Sequence, residues 1–104
     1  MIYKCNLAIP TYNRHDVCFK NVSKYIRILE RNNFINNFNL IVADNSNTKD
    51  LALENLVLSN ENNIYLWDGC NYGYGGNIRR LLNQCLNSYI WLIGDDDILE
   101  EKVF

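Results

Sequence analysis

The stretch Tyr89-Ile90-Trp91-Leu92-Ile93-Gly94-Asp95-Asp96-Asp97-Ile98 decides how this chain is read, because an apolar run stops there at three consecutive carboxylates. A short continuous apolar run bounded by glycine predicts a buried strand. Its end poses an electrostatic problem, since two carboxylates about 5 Å apart repel by roughly 3 kcal/mol at an effective dielectric near 20. A cation or ample water answers it. In an extended chain side chains alternate, so Asp95 and Asp97 are expected on one face and Asp96 on the other. A same-face pair suits a hard divalent cation, Mg²⁺ or Mn²⁺, of the kind held by one or two protein carboxylates plus phosphate oxygens. A solvated, inert acidic turn is the alternative reading at this point.

Upstream of this run, strand and helix patterns alternate. Residues 64–67 (Ile-Tyr-Leu-Trp) read as a strand, and residues 71–77 as a glycine-rich loop. That loop opens a helix with Ile78, Leu81, Leu82, Cys85 and Leu86 on one face. Residues 39–43 form another buried strand, stopped by the turn-rich Asp44-Asn45-Ser46-Asn47. Asn47 or Thr48 is expected to cap a short helix whose inner face is Leu53, Leu56 and Val57. Between Asp16 and Arg31 the apolar positions Cys18, Phe19, Val22, Ile26 and Leu29 recur at helical spacing. Residues 3–9 make the first strand, which Pro10 is expected to end for want of a ladder donor.

The order is βαβαβαβ with no hairpin signal, which predicts an α/β fold: a Rossmann-like parallel sheet with flanking helices. Right-handed crossovers then favour the strand order 3-2-1-4. No repeat, linker or internal boundary interrupts residues 1–104, which read as a single domain. In that topology strands 1 and 4 are neighbours, and ligands bind outside the carboxyl ends of strands where the order reverses. Pro10-Thr11-Tyr12-Asn13, Asp44-Asn45-Ser46 and Asp95-Asp96-Asp97 all fall at that edge, with the glycine-rich loop beside them. This convergence favours a metal–phosphate site over a solvated turn.

Composition narrows the function classes. Hydrophobic residues make up 48% of the 104, which fits a globular domain and not a disordered chain. The net charge is −2, and Arg79-Arg80 is the only adjacent basic pair, so neither nucleic acid nor an anionic membrane is an expected partner. There is no signal peptide or long apolar span, hence no expected membrane crossing; the expected location is cytoplasmic, any membrane association being carried by parts outside this chain. Cys5, Cys18, Cys70 and Cys85 show no C-x-x-C spacing, and His15 is the lone histidine. The cysteines read as reduced, small core residues in preference to zinc ligands or disulfides.

Four stretches, in order and spanning essentially the whole chain, carry a family resemblance. They are Ile9-Pro10-Thr11-Tyr12-Asn13-Arg14, Ile41-Val42-Ala43-Asp44-Asn45-Ser46, Asn71-Tyr72-Gly73-Tyr74-Gly75-Gly76-Asn77, and the Asp95–Asp97 DxD pair. Together they resemble the inverting glycosyltransferases of family 2, whose GT-A fold binds a nucleotide-sugar. The resemblance implies that Pro10, Thr11 and Tyr12 cradle the nucleoside, with Tyr12 beside the base. Asp44, with Asn45 next to it, would accept a hydrogen bond from the imide N–H of uracil or thymine; an Asx-turn or cap is its plain structural role. Gly73, Gly75 and Gly76 would allow close backbone approach and positive φ, with helix amides there meeting anionic groups. Arg80 would reach the nucleotide. Asp97 would bind a divalent Mn²⁺ or Mg²⁺ that bridges the diphosphate, and Asp95 would contact the ribose or share that metal.

The implied partners are a UDP- or dTDP-sugar donor and, in a full-length protein, a saccharide or lipid-linked acceptor. The implied setting is bacterial surface polysaccharide or lipooligosaccharide synthesis. In the resembling enzymes the base that deprotonates the acceptor lies beyond the DxD strand, whereas this sequence ends at Phe104. The expectation is therefore the donor-binding portion of a larger enzyme, truncated after the DxD motif and unable to catalyse transfer alone. A non-catalytic nucleotide- or metal-binding module is the main alternative. An NAD(P)-binding oxidoreductase domain is a poorer one, because the glycine-rich loop follows strand 3 instead of strand 1 and lacks the last spaced glycine.

Overall fold

The computed structural model describes residues 5–85 and 88–97. Seven elements follow one another in strict alternation: β1 (Cys5–Thr11), α1 (His15–Arg31), β2 (Phe38–Asp44), α2 (Leu51–Val57), β3 (Ile64–Leu66), α3 (Gly73–Gln84) and β4 (Tyr89–Leu92). The four strands make one parallel sheet in the order β3-β2-β1-β4. Both the α/β class and the strand order match the sequence expectation. Tyr3 and Leu86, placed in the first strand and third helix by periodicity, lie outside the described residues.

Alternation along the strands divides the core in two. Leu7 and Ile9 of β1, with Leu40 and Val42 of β2, face α1 and α2 and join Val22, Tyr25, Leu29, Leu53 and Val57 in the larger cluster. Ala8, Ile41 and Ala43 face the other way, against Leu81 of α3 and Cys85 just past its end. The two alanines keep that side shallow, so α3 packs close to the sheet. α1 ends in a Schellman arrangement: Phe34 N donates to Leu29 O at 2.8 Å and Asn33 N to Glu30 O at 3.1 Å, with Asn33 at φ +60. Phe34 then folds onto the core.

Several local expectations are corrected. β1 does not stop at Ile9 but runs through Pro10 to Thr11. Ile93 N donates to Ala8 O, so Ala8 and, two residues on, Pro10 present their backbone groups to the β4 side; the β4 register ends at Ala8↔Leu92, and proline's missing donor faces no strand. α2 is capped by Asp50, whose carboxylate accepts from Leu53 N at 2.9 Å, and not by Asn47 or Thr48. β3 ends at Leu66, because the Trp67 indole N–H turns back to Ser46 O at 2.9 Å. The glycine-rich stretch is no loop: from Gly73 on it is the first turn of α3. Phe19 and Leu82 are exposed, so the buried stripes of α1 and α3 are narrower than the hydropathy pattern implies. Cys70 is exposed, unlike the buried Cys18 and Cys85.

Candidate functional site

Three rows of side chains on the α1 face of the sheet each end in a polar residue. Leu7 and Ile9 lead to Thr11, Leu40 and Val42 to Asp44, and Trp91 and Ile93 to Asp95. The period-2 rule puts all three on one face, beneath the start of α1, where the helix dipole favours negative charge. Thr11, Asp44 and Asp95 are all buried. Two consecutive residues at the start of α1 answer the two carboxylates. Arg14 Nε donates to Asp95 Oδ2 at 3.1 Å while its Nη2 pairs with Asp95 Oδ1, and Nη1 donates to Asp96 Oδ2 at 3.1 Å. His15 Nε2 lies 2.8 Å from Asp44 Oδ2.

Asp95 also accepts from the Thr11 hydroxyl at 2.8 Å, so both its oxygens are engaged. The negative charge of Asp95 is the leading reason that Arg14's pKa is pushed above the ordinary guanidinium value. Residues 94–97 form a tight turn: Asp97 N donates to Gly94 O at 3.2 Å and Gly94 N donates to Asp97 Oδ2 at 2.7 Å. This overturns the alternating Asp95/Asp97 geometry expected of an extended chain. Asp95 points inward to Arg14 and Thr11, while Asp96 and Asp97 are exposed. α1 grips the turn from below, with Asn21 Nδ2 donating to Asp95 O at 2.7 Å and the Tyr25 hydroxyl donating to Asp97 O at 2.6 Å. Neither residue was singled out as part of a site from the sequence; their i,i+4 spacing on the inner face of α1 is the only trace they leave there.

Asp44 serves a second, separate knot. Its Oδ1 accepts from Ser46 N at 2.9 Å, the Asx-turn role, and its Oδ2 accepts from the Tyr65 hydroxyl at 2.5 Å beside His15. Burial first, then this hydrogen bond, pushes the Tyr65 pKa well above the ordinary phenol value. His15 had no role in the sequence reading beyond being a lone histidine. Its ring packs between Asp44 and, at 3.8 Å, Asp50.

A cleft of about 740 Å³ opens outside the ends of β1 and β4 and against the first turn of α3. Of the residues expected at the site, Pro10, Thr11, Tyr12, Asn45, Asp95 and Asp97 line it. Asp44, Gly75, Gly76 and Arg80 do not. Arg80 stacks over the Tyr72 ring at 4.8 Å and reaches Asn45 Oδ1 at 3.3 Å, so it lies behind Asn45. The cleft wall also includes Gly73, expected for close backbone approach, and Arg14, Asn71, Tyr74 and Asn77, which stand in the quoted motifs with no role assigned to them. Of the three glycines, Gly73 alone needs positive φ (+73), and Gly76 alone is sterically required, since a Cβ there would meet Tyr72 Cβ at 2.8 Å. Asn45 Nδ2 donates to Gly73 O at 3.0 Å and Asn77 Nδ2 to Ala43 O at 2.7 Å, which fastens the start of α3 to the end of β2.

Tested against a divalent cation, the donor set is uneven. Asp97 fits: its carboxylate is exposed, lines the cleft and has Oδ1 outside the contact with Gly94. Asp95 does not fit in this arrangement, because Thr11 and Arg14 hold its oxygens. No cluster of three or more metal-ligating His, Cys, Asp or Glu occurs among the described residues. No helix among them is long and apolar enough to cross a membrane. No curated protein matches the chain. A protein-family model does, over residues 7–104, and its description is Glycosyl transferase family 2.

Proposed function

The chain belongs to glycosyl transferase family 2, and from that premise we propose that its cleft binds the nucleotide part of a UDP- or dTDP-sugar for transfer with inversion to an acceptor hydroxyl. The observation that carries this reading is the cleft itself. Three stretches far apart in sequence, at Pro10–Tyr12, Asn45 and Asp95–Asp97, meet there at the ends of parallel strands and beside the amino end of a helix. Ligands bind at such switch points, and helix amides favour anionic groups.

In this reading exposed Tyr12 offers its ring to the base. Pro10 and Thr11 shape the floor under the ribose, and Asn45 sets the wall on the α3 side. Asp44 acts from behind that wall, holding Ser46 N and, through the Asx-turn, fixing where Asn45 emerges. Arg80 supports Asn45 in the same way. Gly76 permits the tight first turn of α3, and Gly75 lies beside it. Asp97 is the carboxylate for Mn²⁺ or Mg²⁺, joined by Asp95 when Arg14 is drawn off it. Such an ion, when bound, supplies Lewis-acid neutralisation of the departing nucleoside diphosphate. Deprotonation of the acceptor hydroxyl falls to a base outside the residues described here. The acceptor we propose is a saccharide or lipid-linked saccharide of a bacterial surface polysaccharide or lipooligosaccharide, reached by a cytoplasmic enzyme of which this is the donor-binding domain.

Calorimetric titration with UDP and dTDP, each with and without Mn²⁺ and with NAD as comparison, tests the proposal. Binding of one pyrimidine diphosphate, strengthened by Mn²⁺ and lost in Asp97→Ala, is the expected result. NAD binding indifferent to Mn²⁺ and to Asp97→Ala would sink it.

A further inference from the structure

The buried carboxylate of the DxD turn already has a cation. The Asp95 side chain is 1% exposed and takes two bonds from Arg14 and one from Thr11, while the Arg14 side chain is 50% exposed and also reaches Asp96. The guanidinium therefore holds Asp95, one of the two cleft carboxylates a divalent ion would otherwise draw on, and Asp96 beside it. Among the described residues no buried polar side-chain atom is left without a partner, so the arrangement is satisfied without any metal. Buried charge demands such pairing, and a guanidinium fork matches a carboxylate in a way that a point charge does not. Arg14 sits one residue before α1.

We propose that Arg14 is a built-in competitor for the divalent cation: its guanidinium occupies Asp95, so of the two aspartates that line the cleft the protein by itself offers a metal only Asp97. A metal gains the second carboxylate once an anion at the cleft draws the guanidinium away, and a diphosphate is the anion that suits a planar fork. This last step rests on the donor-binding reading; the competition itself does not. Arg14 is thus a positioning residue for the metal, setting how many carboxylates it meets.

Mn²⁺ titration of the purified chain without nucleotide, followed by the loss of the free-ion electron paramagnetic resonance signal, tests the competition directly. Arg14→Gln should bind Mn²⁺ about tenfold more tightly than the natural protein, because ligand charge count sets the affinity of hard-cation sites. Adding Asp95→Asn to Arg14→Gln should remove most of that gain. No gain in Arg14→Gln, or a gain that survives Asp95→Asn, overturns the proposal. Should Arg14→Gln fail to fold, the unchanged protein still decides the matter by the NMR signal of the Arg14 Nε–H. Millimolar Mg²⁺ alone should leave that signal in place, and Mg²⁺ with pyrophosphate should move it; displacement by Mg²⁺ alone overturns the proposal. The donor-binding reading fails separately: UDP that binds neither form, beside a Mn²⁺ gain in Arg14→Gln, would end that reading and leave the competition standing.

Discussion

Asp44 ends β2 and Asp95 follows β4, the strands on either side of β1; both are buried, and the consecutive residues Arg14 and His15 at the start of α1 serve them. They are otherwise opposites. Asp44 is 0% exposed and is held by a histidine, a tyrosine and a backbone amide, all themselves at least partly buried. Asp95 is held by a hydroxyl and by a guanidinium half in water, and it lines the cleft. One carboxylate is thus locked into the scaffold and the other is held in part by a half-exposed partner. The difference separates a carboxylate buried behind the cleft from one that lines it, although the sequence presents both as a strand-terminal aspartate.

The largest effect should come from breaking the locked knot. Asp44→Ala orphans the Tyr65 hydroxyl, Ser46 N and the His15 ring together, and should cost about 3–4 kcal/mol of stability, read from urea unfolding. A loss under about 1 kcal/mol would mean that these groups find water instead. Arg14→Ala should lower the urea midpoint by less than Asp44→Ala does, since solvent already reaches the outer side of its pair. The two should also differ in salt: 1 M NaCl should shrink the Arg14→Ala effect and leave that of Asp44→Ala nearly unchanged. Equal salt responses would erase the distinction between the two carboxylates.

How much of this was legible in the sequence follows from the range over which each signal acts. The strand order and the faces of Leu7, Ile9, Leu40 and Val42 come from period-2 alternation and crossover handedness, which are properties of the chain itself. The convergence of Tyr12, Asn45 and Asp97 follows from the topology once that is known. The orientation within the DxD turn does not, because Gly94 N and the Asp97 carboxylate close a turn on each other, and a strand pattern carries no sign of where it stops being extended. The pairing of Arg14 with Asp95, 81 residues apart, likewise has no local signature. That Asp44 stands behind the cleft wall, held by His15 and Tyr65, also has no local sign, because a carboxylate's neighbours across the sheet decide which way it faces.

A smaller effect tests the grip on the turn that lines the cleft. The Tyr25 hydroxyl donates to Asp97 O, and its pKa is pushed up to about 12, chiefly by burial and then by the charge of Asp97. Tyr25→Phe should cost about 1 kcal/mol at neutral pH. The folded state keeps this proton above the pH, near 10, at which the unfolded chain releases it, so this contribution is full below about pH 10 and declines as pH rises toward 12. Stability of the natural protein should therefore fall across that window, and Tyr25→Phe should fall less steeply. Parallel slopes would show that the hydroxyl does not carry the linkage.

The smallest effect sits between the two carboxylates. Cys18 lies one turn into α1, buried, and its thiol is pushed up to about 12 by burial first and then by Asp95, with a lesser push from Asp44; the Thr11 hydroxyl and Arg14 pull the other way. At pH 8 iodoacetamide should modify exposed Cys70 first and leave Cys18 intact, as located by peptide mass spectrometry. Dividing each variant's Cys18 rate by its open fraction from urea unfolding leaves the electrostatic part. On that scale Asp95→Asn should speed Cys18 more than Asp44→Asn does, because the cleft-lining carboxylate bears more strongly on the thiol than the locked one. The reverse order would mean that Arg14 already cancels the Asp95 charge at the distance of Cys18, which would make the guanidinium a tighter partner than its half-exposed position implies.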